Sequence, residues 1–304
     1  MSVERPRDVV PMREATKAWF AISLQTFGGP AGQIAVMHRT LVEERRWIGE
    51  QRFLFALSYC TLLPGPAAQQ LATYVGWLLN GVRGALVAGI LFVIPGVVAL
   101  LALSGIYVAY GGTTFVDAVF LGLAPAVIAI VLQAVVRLGS KSLTHPALVV
   151  LAVLAFVALT LFGVPFPLVV LAGAVAGWVL GRAVPALTEP RPQAVDAGPS
   201  PLVSDAALHT ERPSGRRSAT ILVIGLALWM APVAVAAVLA GRQSVFVDQG
   251  LFFSGAAVVT FGGAYAVLAY VAQQAVDVYG WLAPGEMVRG LALAETTPGP
   301  LIMV

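Results

Sequence analysis

Five stretches of this chain, residues 53–82, 84–110, 146–181, 219–240 and 250–276, contain no charged side chain at all. About 20 consecutive apolar residues cross a bilayer, so each run is long enough to do so. The charges are segregated to match: 22 of the 33 Asp, Glu, Lys and Arg residues fall in 1–17, 39–52 and 183–218. The chain is 59% hydrophobic and 11% charged, against about 25% charged in soluble proteins. It reads as an all-α integral membrane protein, a polytopic helical bundle.

Several classes of function drop out on the same grounds. The net charge of +3 comes mostly from arginines beside apolar runs, which is topology and not nucleic-acid binding. Cys60 is the only cysteine, so no intrachain disulfide is possible. His38, His145 and His209 are scattered without ligand-like spacing, so no metal site and no cofactor are expected. Nothing resembles a nucleotide-binding loop or a nucleophile–base pair. ATP-driven pumping and enzyme chemistry are unsupported, although a membrane-embedded enzyme or assembly factor is the alternative from another class. The charged residues 1–17 lead into an apolar run without a small-residue cleavage site. They read as mature protein, not as a signal peptide.

The chain contains an internal duplication. At a fixed offset of 234, Thr26-Phe27-Gly28-Gly29 matches Thr260-Phe261-Gly262-Gly263, Trp47 matches Trp281, and Pro64-Gly65-Pro66 matches Pro298-Gly299-Pro300. Eleven identities fall in 41 ungapped positions. Between the copies lies the Pro-rich, charged segment 183–218, expected to be a mobile linker. The expected division is a first repeat over 1–182, the linker over 183–218, and a second repeat over 219–304.

The repeats are expected to be inverted. Positive charge accumulates on the cytoplasmic side. Segment 39–52 has Arg39, Arg45, Arg46 and Arg52, whereas its equivalent 273–286 has no Lys or Arg. The N-terminal segment and the linker, both arginine-bearing, read as cytoplasmic. One further crossing at 219–240 then delivers the second repeat with opposite parity. Residues 18–37 have basic flanks on both sides and a break in the middle, which favours a re-entrant hairpin over a kinked span.

Gly28-Gly29-Pro30 and Pro64-Gly65-Pro66 both interrupt helical hydrogen bonding where no water compensates. The last proline of each suits the first residue of a new half-helix. The amides of Ala31, Gly32 and Gln33, and of Ala67, Ala68 and Gln69, would then be donors at a partially positive helix end, a ready anion site. Gly262, Gly263, Pro298, Gly299 and Pro300 are their second-repeat equivalents. Packing kinks are the plainer reading of any single break, but two breaks recurring in one register favour a carrier site built from broken helices. Glu295 stands three residues before the second Pro-Gly-Pro. An ionisable group at membrane depth is a candidate for proton coupling, with a cap or interfacial role as the alternative.

"FGGPAGQIAVMH", "LLPGPAAQQLATYVGW", "TFGGAYAVLAYV" and "LALAETTPGPLIMV" together resemble the signature segments of the chromate ion transporter (CHR) family, two-repeat type. The resemblance implies a multi-pass protein of a bacterial or archaeal inner membrane. It implies efflux of chromate, a tetrahedral oxyanion, driven by the proton motive force and conferring chromate resistance. Its partners would be that anion, protons and membrane lipid, and a homo-oligomer is compatible with it. A carrier of sulfate or another oxyanion is the alternative, because charge and shape are the same. The second repeat stops four residues after Pro300, where the first continues to Arg182, so the second is expected to be truncated.

Overall fold

The computed structural model describes residues 9–26, 29–111, 113–184, 202–203, 214–260, 264–283 and 285–299. Among these, regular secondary structure is entirely helical, as the composition predicts. Eleven α-helices follow one another: α1 (Met12–Ser23), α2 (Gly29–His38), α3 (Glu50–Leu62), α4 (Ala67–Tyr110), α5 (Thr114–Ser142), α6 (Pro146–Thr160), α7 (Phe166–Ala183), α8 (Gly215–Leu239), α9 (Val245–Val259), α10 (Ala264–Gln273) and α11 (Glu286–Thr296). Of these, α4, α7 and α8 are long and apolar enough to cross a membrane.

Three of the charge-free runs are not single spans, run 250–276 being divided between α9 and α10. Run 53–82 ends α3, breaks at Pro64-Gly65-Pro66, and continues into the first arm of α4. A helix of α3's 13 residues is only about 20 Å long, short of the roughly 30 Å hydrocarbon core. Run 146–181 is likewise divided into α6 and α7, with Gly163 at a φ of 59° between them.

Helix α4 itself turns back at Asn80 and Gly81, whose backbone angles are not helical. The two arms lie so close that a Cβ added at Gly84 would sit 2.1 Å from the Gly76 carbonyl oxygen. Further along, the Gln69 side-chain amide donates to the Gly89 carbonyl at 2.9 Å. The turn is pinned from outside. Asn80 Nδ2 donates to the Val10 carbonyl, and the Val9 N–H donates to the Leu79 carbonyl at 2.9 Å.

The first segment returns to where it began. Glu14 in the first turn of α1 pairs with Arg45 at 3.2 Å, so the chain between them doubles back, as its two basic flanks predict. A π-helical turn, Arg39–Glu44, follows α2. His38 bridges this turn and α3, with Nδ1 3.0 Å from Glu43 and Nε2 2.6 Å from Glu50.

Local geometry recurs at the same offset of 234. The Arg45 N–H donates to the Thr40 carbonyl and the Trp47 N–H to that of Leu41; Tyr279 and Trp281 donate to Gln274 and Ala275 in the same way. Arg46 and its equivalent Gly280 both have positive φ, at 52° and 62°. Even the ring contact is kept in shape. The Arg45 guanidinium stacks over Trp47 at 4.8 Å, and Tyr279 stacks on Trp281 at 4.3 Å. An aromatic pair thus stands where the first copy has a cation on an aromatic ring. Tyr and Trp are residues of the membrane interface.

Part of the linker is ordered. The Leu202 and Val203 N–H groups donate to the carbonyls of Arg46 and Trp47, and Val203 forms a parallel bridge with Ile48. Helix α8 begins at Gly215, inside the segment expected to be mobile.

The chain divides into two compact units. One contains Met1–Ile22, Ile34–Ile90 and Pro199–Gly263; the other contains Ser23–Gln33, Leu91–Gly198 and Ala264–Val304. Each unit therefore contains segments of both repeats. In the second, α11 packs along α5, and Phe166 stacks on Tyr270 at 5.5 Å.

Candidate functional site

A broken helix leaves backbone groups that something else must satisfy. Here each repeat satisfies the other. In the first unit the Gly65 N–H donates to the carbonyl of Thr260 at 2.8 Å. In the second unit the Gly299 N–H donates to the carbonyl of Thr26 at 3.0 Å. Positions 26 and 260, and 65 and 299, are equivalent at the 234 offset. The two bonds are therefore the same bond, with the repeats exchanged.

The local reasons are legible in the residues. Proline has no N–H, so the central glycine carries the only amide donor in each Pro-Gly-Pro. Both glycines adopt a φ closed to other residues, 107° for Gly65 and 110° for Gly299. Their acceptors are buried threonines, Thr26 at 0% and Thr260 at 2% exposure. Each threonine hydroxyl is turned back to its own helix, onto the carbonyls of Ser23 and Ala256. That leaves the threonine carbonyl as the outward acceptor. The helices before the breaks also end alike. The Leu63 and Thr297 N–H groups donate to the carbonyls of Cys60 and Ala294.

Pro66 supplies the carbonyl that accepts the first bond of α4, from the Gln70 N–H at 3.1 Å. It thus stands just before the helix and not at its first residue. The first-turn amides of Ala67, Ala68 and Gln69 have no intrahelical partner by geometry, and Ala67 and Ala68 are buried. Gly29, with a φ of 72°, opens α2, and Pro30, Ala31 and Gly32 occupy its first turn.

The side-chain amides of three glutamines near the breaks are committed in part to backbone. Gln33, 1% exposed, donates to the Gly299 carbonyl. Gln69 donates to Gly89, and Gln70 to Pro64 at 2.7 Å. The structure thus brings Gln33 and Gly299 together, along with Thr26. The two threonine carbonyls were missed from the sequence as contributors, although Thr heads the TFGG motif in both copies. Gly28, Gly262, Gly263 and Pro300 lie outside the described residues. Glu295 is in the last turn of α11, and its side chain lies outside them too. Among the sites expected from sequence, Pro298 immediately precedes the clasped Gly299.

Comparison with known proteins shows what the chain is similar to. The family model described as "Chromate transporter" matches residues 13–178 and 247–304. A chromate transport protein of Pseudomonas aeruginosa is 36% identical over 289 residues, covering 92% of this chain and 62% of that protein. Chromate transport proteins of Cupriavidus metallidurans and, as a probable one, of Synechococcus elongatus are each 29% identical. They are matched by 96% of this chain over 65% and 67% of their lengths. The chain therefore spans a little under two thirds of the length of the first two relatives. No solved structure matches it.

Proposed function

The chain belongs to the chromate transporter family, and we propose that it acts in secondary transport of chromate across a cytoplasmic membrane. The observation that carries this reading is the pair of exchanged bonds, Thr26 with Gly299 and Thr260 with Gly65. Breaks tied between repeats leave half-helix starts without helical partners at the same places. Such starts attract anions through free amides and the helix dipole. The amides after Pro30 and Pro66 hold the dianion in this reading. Export driven by the proton gradient needs a group that exchanges a proton, and Glu295 takes that role. Sulfate, with the same charge and shape, is the competing substrate.

The test is chromium content and chromate tolerance in a sensitive bacterium expressing the chain, with sulfate as competitor. Expression is expected to lower chromium content and raise tolerance, and unchanged values would remove the reading. Stronger inhibition by sulfate than by chromate itself would assign the site to sulfate. In the same assay Glu295→Gln is expected to abolish the dependence of transport on external pH. A pH profile like the parent's leaves Glu295 without a proton-coupling role.

Inverted repeats make a separate prediction about sidedness. Arg45→Cys and Tyr279→Cys, each in a Cys60→Ser background, place thiols at equivalent positions. A membrane-impermeant maleimide added outside intact cells is expected to label the thiol at 279 and spare that at 45. Labelling of both, or of neither, means that the two loops share a side.

A further inference from the structure

The two junctions make the same backbone bond but are not equally held. At Gly299 both sides of the residue are clasped by the first repeat: its N–H by the Thr26 carbonyl, its carbonyl by the Gln33 side chain. Gln33 is buried to 1% exposure, so this bond is made out of reach of water, where losing it is costly. Among the described residues, the Gly65 junction has only the backbone bond to Thr260. The nearest side-chain donor there, Gln70, bonds Pro64 from α4 of the same repeat and adds nothing between repeats. The residue equivalent to Gln33 is Val267, which has no donor to offer.

We infer that Gln33 is a positioning residue that locks the Gly299 junction, so that the Gly65 junction is the one that yields first. The consequence rests on the transport reading above. A carrier whose equivalent junctions open in alternation is biased by any difference between them. A donor on one side only gives this carrier a preferred resting orientation. Transport through the opposite orientation then requires breaking the Gln33–Gly299 contact.

The Pro-Gly-Pro sequence makes the lock measurable without any transport assay. Each motif has one exchangeable amide, that of its glycine, so hydrogen exchange reads the two junction bonds individually. The experiment is exchange followed by mass spectrometry on the chain in lipid nanodiscs, comparing Gly299 with Gly65 as an internal reference. In the parent chain Gly299 is expected to exchange on the order of fivefold more slowly than Gly65, one net hydrogen bond's worth. Gln33→Met keeps the volume and removes the donor, and is expected to bring the ratio to about one. Gln33→Glu gives a rescue. As a carboxylate it cannot donate to the Gly299 carbonyl, and the lock is lost. As a carboxylic acid its O–H donates, and the ratio returns on acidification. The Gly65 amide corrects for the intrinsic effect of pH on exchange.

Equal rates in the parent chain overturn the inference. So does an unchanged ratio in Gln33→Met, or a Gln33→Glu ratio indifferent to pH. Because the readout needs no substrate, it can fail while chromate transport stands, and hold while chromate transport fails.

Discussion

Replacing Gly84 with valine should leave little folded protein in the membrane, while Gly105→Ala in the same helix should be harmless. A Cβ at Gly84 would stand 2.1 Å from the Gly76 carbonyl oxygen and 2.7 Å from the Cβ of Asn80. Neither neighbour can give way, since one is backbone and the other is pinned by its bond to Val10. Helices in lipid associate through close packing at small residues, without a hydrophobic drive to compensate for separation. Forcing the arms apart therefore costs about 3 kcal/mol or more, and it also strips the Gln69–Gly89 bond. At Gly105 an added Cβ meets nothing within 4 Å, and alanine is the better helix former by about 1 kcal/mol. The yield of monodisperse protein after detergent extraction, and its thermal midpoint, measure the contrast. A Gly84→Val protein with the parent's midpoint would mean the two arms are not packed as described.

That hairpin shows where sequence reading reached its limit. "LLNGVRG", residues 78–84, contains Asn-Gly, a turn signal. A count of charges marks only Arg83 there and misses the turn itself, because asparagine and glycine are both neutral. Run 53–82 therefore reads as a segment broken only at Pro64-Gly65-Pro66, although its end is already the start of a turn. The breaks themselves were legible because glycine and proline disrupt helical bonding by their own covalent structure, whatever surrounds them. So was the doubling back of α1 and α2, since charge on both flanks reports on topology directly. Which break meets which was not legible. Identity at a fixed offset says that Thr26 is equivalent to Thr260, and is silent on whether Thr26 touches Gly65 or Gly299. The partner of the Gln33 side chain was not legible for a related reason. A glutamine beside a helix start suits an anion, but the Gly299 carbonyl that it serves is 266 residues away in sequence. The order at Leu202–Val203 depends in the same way on a distant edge, the Arg46–Ile48 backbone.

Gly65→Ala is expected to reduce transport at least tenfold without removing the protein from the membrane, and Gly299→Ala should do the same. With φ near 107° and 110°, both positions lie well beyond the left-handed helical region near 57°. A side chain there costs about 1–3 kcal/mol. At Gly65 the new Cβ would also approach Gln70 Nε2 to 3.1 Å, disturbing the bond that steadies Pro64. A penalty of about 2 kcal/mol is roughly thirtyfold in a rate or population. The strain falls on the amide that ties one repeat to the other, so its relief requires breaking the bond to Thr260 or to Thr26. Asparagine distinguishes this from general crowding. It tolerates the left-handed helical region, so Gly163→Asn, at a φ of 59° with no atom in the way of its Cβ, should transport normally. Gly65→Asn should fail as alanine does, because its φ lies outside that region. Chromium efflux rates normalised to protein in the membrane decide the matter. A Gly65→Ala chain that transports at the parent's rate would show that the junction does not have to hold its glycine conformation for transport to proceed.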